Sequence, residues 1–154
     1  TILLWAKSDI AYPSSSTASA FRGIISKTNN GGPGGQSYFL DWYGTDTTRN
    51  LRAGIGSSAS GISVIVNNYD FGYKWHHIAF IWDGSNIILY TDGKEITRKA
   101  QTITAQIITA NLDIGRAYSS NTYLWYGSID DVRVYNRALS SDEIKEIYNI
   151  QYIK

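Results

Sequence analysis

Aromatic and polar residues that could hold a sugar stand together at two places in this chain. Asp41, Trp42 and Tyr43 precede a polar loop at 44–50, and Tyr118, Tyr123 and Tyr126 surround Asn121 in a second polar stretch. Sugars stack their C–H faces on Trp and Tyr while Asp, Asn and Arg hold the hydroxyls, so a glycan site needs exposed rings beside polar groups. If the two loops share one rim, these residues form an aromatic platform for carbohydrate. Trp82, at the mouth of the turn that begins with Asp83, is a further ring that could be exposed. Asp130 and Asp131 interrupt an otherwise apolar strand with two consecutive carboxylates. Hard oxygen ligands of that kind suit calcium. The competing reading is that one of the two accepts hydrogen bonds from buried backbone or from a histidine.

Catalysis has less to work with. Hydrolysis of a glycosidic bond needs two carboxylates at a defined separation. The only Glu residues are Glu95, beside a hairpin turn, and Glu143 and Glu146, on a C-terminal helix. None sits mid-strand on a candidate cleft. His76 and His77 are the only histidines, and strand neighbours point to opposite faces, so they do not jointly ligate one metal without distortion. One of them is expected to pack inward with a ring nitrogen bonded to backbone or to a carboxylate. The chain therefore reads as non-catalytic, with a two-Asp arrangement as the remaining route to an enzyme.

These side chains need a framework, and the composition bounds it. A chain of 154 residues fits one domain spanning 1–154 with a proper core. The formal net charge is +1 and the basic residues are scattered, which leaves no electrostatic footprint for nucleic acid or an anionic membrane. No apolar run is long enough to span a bilayer, no signal peptide is present, and the chain opens on Thr1, as a mature product or an excised segment would. Cysteine is absent, so disulfides and thiolate metal sites are excluded. The lack of any Asn-x-Ser/Thr acceptor leans the source towards bacteria, archaea or viruses. Twelve Tyr against four Phe is a load suited to loop rims and binding faces, because Tyr can be half buried with a wet hydroxyl.

Apolar runs and alternation predict strands at 1–7, 21–26, 38–43, 51–55, 62–66, 103–108 and 112–114. Loops are expected at 9–20, at the Gly-rich 29–35 and at 117–123. From Trp75 onward two apolar runs flank a turn at 83–86, and Asp92-Gly93 is suited to the positive φ angles of a tight hairpin. Ser140 and Glu143 stand at capping-box spacing ahead of Ile144, Ile147 and Tyr148, which predicts a terminal helix.

Two blocks carry a resemblance. WHHIAFIWDGSNIILYTDGK at 75–94 and GSIDDVRVYNRALS at 127–140 resemble the laminin-G-like jelly rolls of the concanavalin A-like lectin and glucanase superfamily. The resemblance implies an all-β fold, an antiparallel two-sheet jelly-roll β-sandwich with a short C-terminal helix. It implies core packing for Trp5, Trp75 and Trp125, and a calcium ion held between a C-terminal Asp and the N-terminal segment. It also implies that the opening strand is normally the second, so that a first strand is lacking and an open sheet edge could pair with another chain. The reading that follows is an extracellular recognition or adhesion module, carbohydrate-binding, whose partner is a glycan or a cell-surface protein, with calcium as a structural cofactor. The runner-up is a structural assembly subunit of a surface filament, sheath or capsid, a homo-oligomer completed by a strand from a neighbouring copy. A glycan-active enzyme comes third.

Overall fold

The computed structural model describes residues 1–10, 20–28, 36–45, 48–56, 61–103, 105–117 and 121–152. Ten strands and one helix follow in chain order: β1 Ile2–Ser8, β2 Ala20–Thr28, β3 Gln36–Thr45, β4 Thr48–Gly56, β5 Gly61–Asn67, β6 His76–Trp82, β7 Asn86–Thr91, β8 Lys94–Ala100, β9 Leu112–Ile114, β10 Gly127–Val134 and α1 Ser141–Tyr152. They build two five-stranded antiparallel sheets, a back sheet in the order β10-β1-β6-β7-β8 and a front sheet in the order β5-β4-β3-β2-β9.

Alternation along the strands decides what lies between the sheets. Ile2, Leu4 and Ala6 of β1, Ile78 and Phe80 of β6, and Ile87 and Leu89 of β7 face inward from the back sheet. Leu40 and Trp42 of β3, Leu51, Ala53 and Ile55 of β4, and Val64 of β5 meet them from the front. The residues between these on β1, β6 and β7, namely Leu3, Ala79, Ile81, Ile88 and Tyr90, form a second apolar layer on the outer face of the back sheet. Helix α1 covers that layer with Ile144 and Ile147, helped by Leu139. A capping box starts the helix as its spacing predicts: Ser140 Oγ accepts from the Glu143 N–H at 3.2 Å, and the Glu143 carboxylate accepts from the Ser140 N–H at 2.8 Å. The 92–93 hairpin turns through φ of 51° and 73°, as an Asp-Gly pair allows.

Several expectations need correcting. Residues 101–111 contain no strand among those described, although 103–108 read as one. The segment follows β8 of the back sheet and leads to β9 of the front sheet, and Ile107 on it is 97% exposed. Trp75 is 43% exposed rather than packed, with the Lys7 ammonium 5.9 Å from its ring. Trp125 does pack, against Trp42 and Phe71. Trp5 stacks on Tyr148 beneath α1. The opening strand β1 is internal, paired with β6 on one side and β10 on the other, so no edge opens beside it. Of the loops expected at 9–20 and 29–35, residues 11–19 and 29–35 lie outside the described residues.

The two histidines split as neighbouring strand residues should. His76 holds Asp92 through Nδ1 at 2.8 Å, and its Nε2 lies 3.2 Å from the Phe71 carbonyl. The Asp92 bond raises the His76 pKa. His77 is fully buried between Trp5 and Tyr148, and neither ring nitrogen has a partner. Burial lowers its pKa to about 4 from an ordinary 6.5. Below 6.5 the unfolded chain protonates at this position while the folded chain does not, so stability falls as the pH drops towards 4, by roughly 3 kcal/mol over the full shift. Above 6.5 the sign reverses, since the contribution of His76 is lost as pH rises through its elevated pKa. A profile of melting temperature against pH should therefore fall on the acid side of 6.5. His77→Phe should flatten the acid limb. An acid limb that keeps its slope in this variant would show that some other group drives it.

Candidate functional site

Helix α1 covers the outer face of the back sheet, and no helix among the described residues covers the outer face of the front sheet. The pleat sends Phe39, Asp41 and Tyr43 of β3 out to it, and it sends Trp42 in. Trp42 is fully buried, its indole N–H donates to the Tyr69 carbonyl at 3.0 Å, and its ring meets Phe71 and Trp125 edge-on. The expectation that Trp42 is an exposed sugar platform is thereby corrected: three consecutive strand residues do not share a face.

The register builds a floor around the other two. Phe21 of β2 pairs with Tyr43 of β3, and their rings stack at 5.5 Å with 20° between planes. Asp41 lies opposite Arg52 of β4, whose Nε and Nη2 donate to the two carboxylate oxygens at 3.0 and 2.5 Å. The Asp41 side chain is 0% exposed and that of Arg52 18%. Burial pushes the Asp41 carboxyl up, and the bonds from Arg52 pull the other way. A two-pronged fork of this kind is the arrangement an ionised carboxylate makes with a guanidinium. The guanidinium is also ringed by Phe21, Phe39 and Tyr43, with centroids 4.6 to 5.1 Å away, a cation–π arrangement.

The second loop reaches this floor because of one glycine. A Cβ on Gly23 would fall 2.1 Å from the Ala117 nitrogen and 2.3 Å from the Arg116 carbonyl carbon, so only glycine lets the chain at 116–117 cross β2 this closely. The Gly23 and Ala117 N–H groups both donate to the Tyr123 carbonyl at 3.1 Å. That clasp sets the Tyr123 ring edge-on to Phe21 at 5.6 Å. Beyond it, the Arg22 guanidinium lies 4.8 Å over the Tyr126 ring, which is 49% exposed.

The two loops named from the sequence thus share a rim, but with altered membership. Tyr43 and Tyr123 are joined through Phe21. Tyr126 stands beside Arg22, Asn121 is exposed on the same loop, and Asp41 lies beneath as the counter-ion of Arg52. Tyr118 lies outside the described residues. Phe21 and Arg52 were not singled out in the sequence; both become legible only once strand pairing puts them beside Tyr43 and Asp41.

Other candidates fare differently. Asp131 sits at a bulge with φ 50° and presents both oxygens to Arg133 at 3.1 Å, while Asp130 accepts from the Asp131 N–H at 2.7 Å. The charge that a calcium ion would balance on Asp131 is already balanced by a guanidinium, and no group of three acidic or histidine ligands forms among the described residues. As arranged, the pair does not fit a calcium site. Trp82 is half-buried and borders two cavities, of about 140 and 410 Å³, near Tyr38, Ile55, Tyr135 and Arg137. They lie towards the other end of β3 from Tyr43.

Comparison with known proteins bears on both fold and site. The profile of the Concanavalin A-like lectin/glucanases superfamily matches residues 1–145. No curated protein matches the chain. Among solved structures, the CBM40 of the Ruminococcus gnavus IT-sialidase bound to alpha2,3 sialyllactose is similar at 19% identity and a TM-score of 0.70, over 96% of this chain and 80% of that one. A native heptameric SAP-like pentraxin from Limulus polyphemus is similar at 16% identity and a TM-score of 0.63, over 96% and 68%. The botulinum neurotoxin serotype D binding domain gives 16% and 0.63, over 97% and 35%. At these identities the likeness is one of fold.

Proposed function

The chain belongs to the concanavalin A-like lectin/glucanases superfamily, and from that premise we propose that it is a non-catalytic carbohydrate-binding module working outside the cell. The observation that carries this reading is the Phe21–Tyr43–Tyr123 ring cluster, set on a sheet face that no helix covers among the described residues and bordered by Arg52 and Asn121. Rings supply faces for sugar C–H groups, and the polar neighbours supply hydrogen bonds for hydroxyls. The sialyllactose bound by the similar CBM40 is in keeping with it.

The carboxylates support the non-catalytic half of the reading. Glu95 is bonded to Arg98 and Tyr90, Glu143 to Arg137 and the start of α1, and Glu146 lies exposed on α1. On the front face, Asp41 is held by Arg52 and Asp113 by Arg116. A general acid or nucleophile drawn from Glu95, Glu143, Asp41 or Asp113 would first have to leave its guanidinium. Among the described residues no helix is long and apolar enough to cross a membrane.

Tyr43→Ala and Tyr123→Ala test the proposal on a glycan array followed by titration. Each should weaken binding about fivefold, the loss of one stacking surface worth about 1 kcal/mol, with the melting temperature largely kept. Undiminished binding in both variants would count against the platform.

A further inference from the structure

We propose that the platform selects uncharged saccharides and gives acidic ones no advantage, an inference that rests on the carbohydrate-binding reading above. It comes from how the cations of the front face are spent. Arg52, which stands among the rings, has its fork closed on Asp41. Asp41 is fully buried beneath it, and a buried carboxylate deprived of its partner is costly, so it does not yield to a carboxylate arriving from solvent. Arg116, at the crossing over Gly23, is held in the same way by Asp113 at 2.6 Å, and Asp113 is 7% exposed. Each of these guanidinium charges is cancelled by a neighbouring carboxylate.

What the face offers a ligand is therefore ring surface and hydrogen-bonding edges with little net field. An acidic sugar would give up the hydration of its carboxylate and find no unneutralised partner among the rings. A neutral sugar loses no such hydration and still gains the stacking. Arg22 makes the inference testable: among the described residues no ion pair ties it, its guanidinium lies 4.8 Å from the Tyr126 ring centroid and donates to the Phe21 carbonyl at 3.2 Å, and its pairing with Trp42 places it at the border of the platform on the inner side of the sheet. If acidic glycans were preferred, Arg22 is where their charge would be met.

The test is an array of neutral, uronic-acid and sialylated oligosaccharides probed with the chain and with Arg22→Gln, at low and at high salt. The expected result is that neutral glycans lead. Adding sialic acid to a bound neutral glycan should not raise its affinity, and binding should change by less than about twofold with salt or in Arg22→Gln. If acidic glycans lead, and lose their lead in Arg22→Gln or at high salt, this inference is overturned while the carbohydrate-binding reading stands. If no glycan of either kind is retained, both fall.

Discussion

Replacing Arg52 with leucine is expected to destabilise the fold by about 3–5 kcal/mol, the range for stripping one partner from a buried ion pair. Asp41 is 0% exposed, so the variant leaves a carboxylate away from water without the two bonds that hold it. It must then protonate or drag water into the sheet face. The same substitution uncovers the Phe21, Phe39 and Tyr43 rings that the guanidinium packs against. Removing both charges, in Asp41→Leu with Arg52→Leu, should recover much of the loss, because the unpaired charge is what costs most. Urea unfolding of the three variants measures this. A loss below about 1 kcal/mol in the single variant would mean that the pair behaves like an exposed salt bridge, and the front face would then not be the rigid floor described above.

The second large effect is expected from Trp42→Ala, at about 3–5 kcal/mol for deleting a buried aromatic ring. Trp42 packs against both Phe71 and Trp125, and its N–H donates to the Tyr69 carbonyl. The variant would leave both a cavity and a lost hydrogen bond. Tyr43→Ala, one residue along, should cost far less stability and act instead on glycan binding. This contrast between adjacent residues separates core from platform. If the two variants proved equally destabilising, or if Trp42→Ala spared the fold and abolished binding, the assignment of faces would be wrong.

That contrast also shows where sequence reading reached and where it stopped. Strand positions were legible from alternation, and the capping box at Ser140 and Glu143 and the turn at Asp92-Gly93 from local chemistry, because each depends on residues near in sequence. Residues 103–108 misled because Ile103, Ile107 and Ile108 are β-branched; yet Ile107 is nearly fully exposed, so no pairing strand stabilises the run. The candidate site was half legible. Tyr43 and Tyr123 were named because ring-bearing residues beside polar loops are visible in one chain. Trp42 could have been excluded at the same stage, since Asp41, Trp42 and Tyr43 are consecutive in a strand and the middle one must face the other way. Phe21 and Arg52 were beyond reach, because their roles arise from register across β2, β3 and β4. The Asp130-Asp131 pair read as a metal site because its partner, Arg133, acts through a bulge that no local pattern announces.

The most direct test of the central claim is a residue-resolved NMR titration with a neutral oligosaccharide selected on the array. Shifts should concentrate at Phe21, Tyr43, Tyr123 and their strand neighbours on β2 and β3, leaving the Trp5–Tyr148 contact under α1 and the cavity beside Trp82 and Tyr135 unmoved. Shifts centred on Trp82 and Tyr135, with Phe21 and Tyr43 silent, would contradict the account and move the binding site to the other end of the sandwich.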